Sequence, residues 1–250
     1  MDGEPLSASL IGLATGVALL ACTVRGITGF GGGIVMMPVL TLFMDLKLVV
    51  VAGCAMMVAN GLSLARSAWP HVDWRSILWL FPSNLVGLAV GTHLLVSVSA
   101  QRLRACFGAL VCVFALQMVW QEWNGARGEP KPWPQWLGPI AGLVGGVTAG
   151  VFGVGAPPIV IYLAHRLSAK EALRATFIIL FLMGDVVRAA GYVAAYLVTK
   201  PVVVLACFLV PAAFLGGYVG TRLQERMNAR AFRLAVAALL VALGVALLVR

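Results

Sequence analysis

Residues 26–33 read Gly-Ile-Thr-Gly-Phe-Gly-Gly-Gly, and residues 150–155 read Gly-Val-Phe-Gly-Val-Gly, each inside a long apolar stretch. Glycine lacks a Cβ atom, tolerates positive φ and weakens a helix, so either cluster can end a helix within a membrane. Non-helical backbone survives at that depth only where protein buries it or where it lines a watery cavity. Two such breaks in corresponding places of two halves are the best sequence indication of a transporter's binding site.

The composition predicts an all-α polytopic membrane protein. Of the 250 residues, 61% are hydrophobic and 11% are charged, and the mean hydropathy is +0.99. A soluble chain of this length would expose much of that apolar surface to water. The net charge is +9, but the basic residues are scattered, mostly at predicted helix ends, which indicates membrane topology rather than nucleic-acid binding. We therefore expect the lipid bilayer as a partner and no nucleic acid.

The sequence gives no indication of a metal or cofactor site. The five cysteines lie in apolar segments without CxxC or Cys/His spacing, and the three histidines are dispersed. No H-E-x-x-H sequence, Walker loop or Ser/His/Asp constellation is present, so zinc hydrolysis and ATP-driven transport lack support. We expect no cofactor, no metal and no enzyme activity.

Ten apolar segments are predicted to be helices of one membrane domain over residues 1–250. Two of them, Ile34–Met44 and Pro157–His165, are too short to cross a hydrocarbon core of about 30 Å, so we expect broken or re-entrant half-helices there. The other eight predicted helices are Leu6–Val24, Val49–Ser67, Ile77–Val98, Leu103–Val119, Leu137–Val151, Ala172–Val198, Val202–Leu223 and Ala231–Val249.

The two glycine breaks belong to an internal repeat. Residues 30–33 align with residues 152–155 at a spacing of 122 (152 − 30), and the same spacing superimposes Arg66 on Arg188. A duplicated unit is the simplest account of a recurring spacing. Each half would then place its break and its arginine in equivalent positions.

A second pair of motifs extends the repeat. Residues 87–92 and 216–221 both read Gly-x-x-x-Gly-Thr, at a spacing of 129 (216 − 87). Small residues four apart let helices approach closely in lipid, so we expect these glycines to serve helix packing. The predicted organisation is a first repeat over 6–120, a linker over 121–136 that is rich in Pro, Gly and Trp, and a second repeat over 137–249.

Whether the two halves run parallel or are inverted depends on whether each broken element makes one net crossing of the membrane or two. If each makes one net crossing, each half has about four crossings and the halves run parallel. By the positive-inside rule, the N- and C-termini and the linker 121–136 would then be periplasmic, because most Lys and Arg residues lie in the loops of the other side. If the half-helices cross fully, each half has five crossings and the repeats are inverted. Homo-oligomerisation is compatible with either arrangement.

On these motifs the chain resembles the TauE/SafE sulfite exporter family, also grouped with the toluene-sulfonate uptake permeases. The resemblance rests on the first break, with Thr28 and Pro38, on the second break, with Phe152 and Pro158, and on the paired Gly-x-x-x-Gly-Thr segments, and it covers Ile11 to Leu248. It implies a bacterial inner-membrane protein that moves a small sulfur-containing anion such as sulfite, sulfoacetate or another organosulfonate.

The half-helices also offer a physical route to anion binding. A helix N-terminus leaves several N–H groups unpaired and carries about half a positive charge, so it favours the oxygens of a sulfite or sulfonate. The alternative is that the glycines only permit tight packing. The candidate substrate-binding residues of the two breaks are Thr28, Gly31, Gly32, Gly33, Gly153 and Gly155.

Ionisable and polar residues within the apolar segments are further candidates. Asp185 and Arg188 stand three apart on one predicted helix, so they can pair. A charge at such depth costs at least about 2.5 kcal/mol, which makes Arg188 a candidate substrate ligand and Asp185 a candidate carrier of a coupling proton. The alternative is a structural ion pair. Arg66 and Asn60 are also candidate ligands, although Arg66 could snorkel to the interface and Asn60 could join two helices. Arg25 could attract anions to an entrance or anchor the first helix.

Together these features predict a secondary transporter or facilitator of a small anionic substrate. The alternatives are an anion channel that uses the same breaks, a transporter of a non-sulfur carboxylate and an intramembrane enzyme. The enzyme would need an acid, base or nucleophile set, which the sequence does not show.

Overall fold

The computed structural model describes residues 7–124, 133–167 and 169–223. Every regular element within those ranges is a helix. In chain order the α-helices are α1 (Ala8–Thr28), α2 (Gly32–Leu40), α3 (Leu46–Ala68), α4 (Trp74–Ser97), α5 (Ala100–Asn124), α6 (Leu137–Phe152), α7 (Ala156–Ala164), α8 (Lys170–Ala194) and α9 (Lys200–Leu223).

Five of these helices, α1, α3, α4, α8 and α9, are long and apolar enough to cross a membrane. The protein is therefore a multi-pass membrane protein, which confirms the predicted all-α polytopic fold. The predicted tenth helix, Ala231–Val249, lies outside the described residues, as do residues 125–132 of the predicted linker.

Both glycine clusters interrupt the helices where the sequence predicts. α1 ends at Thr28, and the backbone turns through two glycines with positive φ, Gly29 at 83° and Gly31 at 91°. α6 ends before Gly153, whose φ is 71°. Residues that carry a side chain rarely adopt this left-handed backbone conformation, so the breaks require glycine. The half-helices α2 and α7 have nine residues each, about 13 Å at 1.5 Å per residue, and cannot span a bilayer.

Each half-helix folds back along the helix before it. A Cβ atom built on Gly32, at the start of α2, would lie 3.3 Å from the carbonyl oxygen of Ala21 in α1. In the second break, a Cβ atom on Gly155 would clash with the carbonyl oxygen of Gly145, ten residues earlier. The pairs α1–α2 and α6–α7 are therefore re-entrant hairpins.

The Gly-x-x-x-Gly segments pack against the hairpins, as their spacing predicts. A Cβ atom on Gly91 of α4 would lie 2.9 Å from the Cα of Gly150 in α6. A Cβ atom on Gly220 of α9 would lie 2.9 Å from the Cα of Gly26 in α1. Such close backbone contact gives van der Waals energy that larger side chains would prevent.

These contacts also fix the helix directions. Gly142 and Gly150 of α6 face Leu80 and Leu88 of α4, so α4 and α6 run in the same direction. The C-terminal thirds of α1 and α9 likewise lie side by side, because Gly26 faces both Gly217 and Gly220 while Leu19 faces Gly216. α1 and α9 are therefore also parallel.

α3 connects the two sets of helices. Its residues Cys54 and Gly61 lie against Asp185 and Leu182 of α8, so α3 and α8 are antiparallel. α3 runs with α9, since Asn60 contacts Ala213 while Ser63 contacts Gly217. We call the end of the bundle where α1, α3 and α9 begin the first face, and the end where α4, α6 and α8 begin the second face.

The two hairpins therefore enter from opposite faces, α1–α2 from the first and α6–α7 from the second. The parallel arrangement assumed a net crossing by each broken element, and it is wrong because each half-helix returns to the face from which its hairpin began. The two hairpins are therefore inverted relative to each other, although neither half-helix crosses the bundle fully.

Candidate anion-binding site

The two glycine breaks meet in the middle of the bundle. A Cβ atom built on Gly33 would lie 2.6 Å from the carbonyl oxygen of Gly153, so no side chain fits between the two hairpins. Beside this contact lies a cavity of about 400 Å³, a volume that includes the open solvent at its mouth. Six predicted ligands line the cavity: Arg188 and the glycines Gly31, Gly32, Gly33, Gly153 and Gly155.

The two half-helices contribute different numbers of N–H donors to the cavity. The first turn of α2, Gly32 to Ile34, has amides without an intrahelical acceptor, and all three residues line the cavity. α7 starts at Ala156, but the next two residues are Pro157 and Pro158, which have no N–H. The N-terminus of α2 is therefore the richer donor for an anion.

A buried group of three charges forms the polar wall of the cavity. Arg188 Nη2 lies 2.8 Å from Asp185 Oδ1, and Arg25 Nη2 lies 3.4 Å from Asp185 Oδ2. The side chains of Arg25, Asp185 and Arg188 are 3%, 12% and 2% exposed. The predicted Asp185–Arg188 pair is present, and Arg25 adds a second cation.

Arg188 also ties α8 to the second hairpin. Its Nη1 donates to the carbonyl oxygen of Ala149 at 2.8 Å, and its Nε donates to Cys54 Sγ at 3.4 Å. The Tyr192 hydroxyl donates to the neighbouring carbonyl of Gly150 at 2.9 Å. Because carbonyls at a helix C-terminus carry partial negative charge, Arg188 offsets the end of α6 beside the cavity.

A second arginine of α8 binds a backbone carbonyl near the C-terminus of α1. Arg174 Nη2 donates to the carbonyl oxygen of Gly26 at 2.6 Å. Both hairpins thus have a guanidinium on the C-terminal carbonyls of their long helix. The uncompensated helix ends at the cavity are the N-termini of α2 and α7.

A second part of the cavity wall is apolar. Phe30, Met57 and Phe181 line the cavity beside the charged group. Phe177 supports this wall, with its ring centroid 5.3 Å from that of Phe30 and 6.0 Å from that of Phe181. The cavity therefore suits a ligand with an anionic head and a small apolar part.

Three predicted ligands do not line the cavity. The Thr28 hydroxyl bonds to the carbonyl of Val24 at 2.9 Å and to the backbone of Phe30, so it shapes the first break. Asn60 is fully buried and donates to the carbonyl of Ala213 at 2.8 Å, which joins α3 to α9. Arg66 is exposed in the last turn of α3.

Arg25 is the functional candidate that the sequence assigned least well. Its Nη1 donates to the carbonyl oxygen of Met57 at 3.0 Å, and the side chain lines the cavity. A single arginine near a predicted helix end has the same pattern as an interface anchor, and only its three-dimensional neighbours distinguish the two. Among the described residues, no group of three or more His, Cys, Asp or Glu side chains could hold a metal ion.

Comparison with known proteins identifies the family. The family described as sulfite exporter TauE/SafE matches residues 14–247. The chain belongs to the TauE/SafE family. This TauE/SafE protein is 27% identical over 236 residues to a probable sulfite/organosulfonate exporter from Cupriavidus necator, covering 89% of this chain and 87% of the relative. It is 24% identical over 259 residues to a probable membrane transporter protein, YunE, from Bacillus subtilis, covering 91% and 93%.

No solved structure matches this TauE/SafE chain. Its family and the names of its relatives, together with the apolar helices, support a membrane transporter. The same names point away from an enzyme.

Proposed function

We propose that this protein is a secondary transporter of a small sulfur-containing anion, such as sulfite or an organosulfonate, across the bacterial inner membrane. The observation that carries the proposal is the cavity between the two glycine breaks, where two buried arginines face one aspartate and the N-terminus of α2. The substrate class is supported by the printed name of the Cupriavidus relative.

The site fits an oxyanion for electrostatic reasons. Two guanidinium groups and one carboxylate leave an excess positive charge in a place with little water, so an anion is the natural counter-charge. The unpaired amides of Gly32 to Ile34 can donate to its oxygens in addition. Glycine at Gly33 and Gly153 keeps backbone accessible where a side chain would fill the space.

The hairpins suggest how access could alternate. We propose that residues 6–120 and 137–249 are inverted repeats, joined by the linker 121–136, with the substrate site at their interface. In this scheme rocking of one hairpin against the other would open the cavity to one face at a time. In this motion α1 and α9 would move together as one rigid pair, and α4 and α6 as another, because the backbones within each pair are in close contact.

Loop charges give the orientation of this scheme. Among the described residues, the second face carries Arg66, Arg75, Arg166, Lys170, Arg174 and Arg222, and the first face carries Lys47, Arg102, Arg104 and Lys200. By the positive-inside rule we propose that the second face is cytoplasmic. Ser7, which precedes α1, is then periplasmic, as predicted for the N-terminal end, whereas Trp136, which precedes α6, is cytoplasmic.

Counterflow in proteoliposomes tests the proposed function. Vesicles loaded with unlabelled isethionate, a monoanionic organosulfonate, should transiently accumulate labelled isethionate from outside. A channel would equilibrate the label without accumulating it. Replacement of the internal load by acetate is the control, and accumulation driven equally well by acetate would favour a carboxylate transporter instead.

A further inference from the structure

We infer that Asp185 sets the valence of the transported anion, so that the site accepts monoanions in preference to dianions. This inference rests on the proposed function, because it concerns the same cavity. The observations that carry it are the charges that line the cavity, their burial and the unequal distances from Asp185 to the two arginines.

The charge of the cavity can be counted. Among the described residues that line it, the charged side chains are Arg25, Asp185 and Arg188, which sum to +1 (2 − 1). Arg174 lies near the first break but does not line the cavity. Its guanidinium is bound to the carbonyl of Gly26, so it belongs to the end of α1 rather than to the cavity.

Because the three side chains are buried, their net charge determines which ligand charge the cavity favours. The three side chains are at most 12% exposed, so water screens them weakly and an unbalanced charge is costly. One negative charge brings the group to neutrality. A dianion leaves an excess of −1 beside Asp185, whose carboxylate repels it. A zwitterion such as taurine leaves the group at +1.

The distances from Asp185 to the two arginines indicate which arginine binds the substrate. Arg188 is held by the short bond to Asp185 and by Ala149, both at 2.8 Å. Arg25 reaches Asp185 at only 3.4–3.5 Å, beyond the 2.7–2.9 Å typical of a charge-assisted hydrogen bond. Arg25 therefore loses least by exchanging Asp185 for a ligand, while Asp185 stays bound to Arg188.

This exchange places the anion between Arg25 and the first turn of α2. Both line the cavity, and α2 supplies the unpaired amides. Arg188 acts as a positioning residue that holds the Asp185 carboxylate in place through their 2.8 Å contact. Asp185 then acts as an internal anion that uses one of the two positive charges and leaves one for the substrate.

A matched pair of sulfonates tests the inference. Isethionate and sulfoacetate both have two carbons and one sulfonate, but at neutral pH the first is a monoanion and the second a dianion. We expect initial counterflow in the wild type to be at least about tenfold faster for isethionate, which corresponds to about 1.4 kcal/mol. In Asp185→Asn the cavity charge becomes +2, so the order should reverse.

Asp185→Glu is the control because it keeps the charge, and it should keep the wild-type order. Retained Tm in detergent shows that each variant is folded. If Asp185→Asn does not fold, the wild-type ratio still decides, since equal or faster sulfoacetate transport contradicts the inference. An Asp185→Asn protein that slows both substrates equally would also overturn it, while leaving the proposed function intact. A folded wild type that transports neither sulfonate would overturn the inference, and absence of sulfite counterflow as well would overturn the proposed function.

Discussion

Gly33 at the start of α2 faces the carbonyl oxygen of Gly153 so closely that a methyl group at Gly33 would stand 2.6 Å from that oxygen. The two residues belong to hairpins that enter from opposite faces, so their contact joins the two broken elements. The cavity with Arg25, Asp185 and Arg188 opens directly beside it. A single pair of glycines thus determines how near the two breaks lie and how much backbone a ligand can reach.

Replacing Gly33 by Val should abolish transport, because the new side chain must displace the backbone of Gly153 and fill the cavity. Overpacking of this kind typically costs about 1–3 kcal/mol, so we also expect a lower Tm. Counterflow and thermal unfolding in detergent are the measurements.

The matched control is Gly16→Ala in α1, where an added Cβ would meet no atom within 4 Å. Ala is the better helix former by up to about 1 kcal/mol. Its Tm should be equal or higher and its transport unchanged. Normal transport by Gly33→Val would mean that the ligand does not pass between the breaks.

Gly91→Ala should separate α4 from the second hairpin. Its Cβ would lie 2.9 Å from the Cα of Gly150 and even closer to the carbonyl of Val147. Since both partners are backbone, we expect a loss of about 1–3 kcal/mol in unfolding free energy, seen as a lower Tm. Gly191→Ala is the control because its nearest neighbour, Thr92, is 3.8 Å away. Equal Tm values for the two variants would contradict the packing described for α4 and α6.

Arg188→Ala should weaken anion binding by about 1.5–3 kcal/mol, or roughly 10- to 150-fold. The substitution removes the partner of Asp185, which then competes with the ligand for Arg25 alone. Calorimetric titration of purified protein with isethionate measures the change. Arg66→Ala is the control, since Arg66 is exposed and outside the cavity lining. If Arg66→Ala weakens binding as much as Arg188→Ala, the site lies elsewhere.

Cysteines at Ser7 and Trp136 should be labelled from opposite faces of the membrane. Ser7 precedes α1 at the first face, and Trp136 precedes α6 at the second. In a background without the five native cysteines, an impermeant maleimide should label Ser7→Cys in intact spheroplasts and Trp136→Cys only after permeabilisation. Arg166→Cys should behave like Trp136→Cys, because Arg166 donates to the Trp133 carbonyl. Labelling of Ser7→Cys and Trp136→Cys from one face would restore the parallel arrangement.

Proton coupling through Asp185 is a separate prediction. If Asp185 carries the proton, Asp185→Asn should abolish uptake driven by a pH gradient while counterflow of a dianion persists. Uptake of labelled isethionate and sulfoacetate with and without an imposed gradient measures this. Undiminished gradient-driven uptake in the variant would make Asp185 a structural and selectivity residue only.

Much of this fold could be predicted because its determinants are local. The clusters at Gly29–Gly33 and Gly153–Gly155 disfavour helix by themselves, and an apolar stretch of nine residues cannot span a bilayer whatever surrounds it. The pairing of Asp185 with Arg188 follows from a three-residue spacing on one helix. The direction of each hairpin could not be predicted from local sequence, because a half-helix that crosses the membrane and one that returns have the same composition.

The candidate site was only partly predictable for the same reason. Arg66 shares the repeat spacing of Arg188, yet it lies exposed near a helix end, so sequence register did not carry over to equivalent surroundings. Arg25 has no counterpart at that spacing, since residue 147 (25 + 122) is Val147. Its role depends on Met57 and Asp185, which are 32 and 160 residues away, and no local pattern reports such contacts.

The most direct test of the central claim is the position of a bound anion in a crystal of the protein with 2-bromoethanesulfonate. The anomalous signal of bromine would locate the ligand without reference to any assumed site. We predict one peak in the cavity beside the Gly33–Gly153 contact, with the sulfonate oxygens within hydrogen-bond distance of Arg25 and the α2 amides. A peak only in another place, such as the cleft between α3 and α9 near Arg222, would contradict the account.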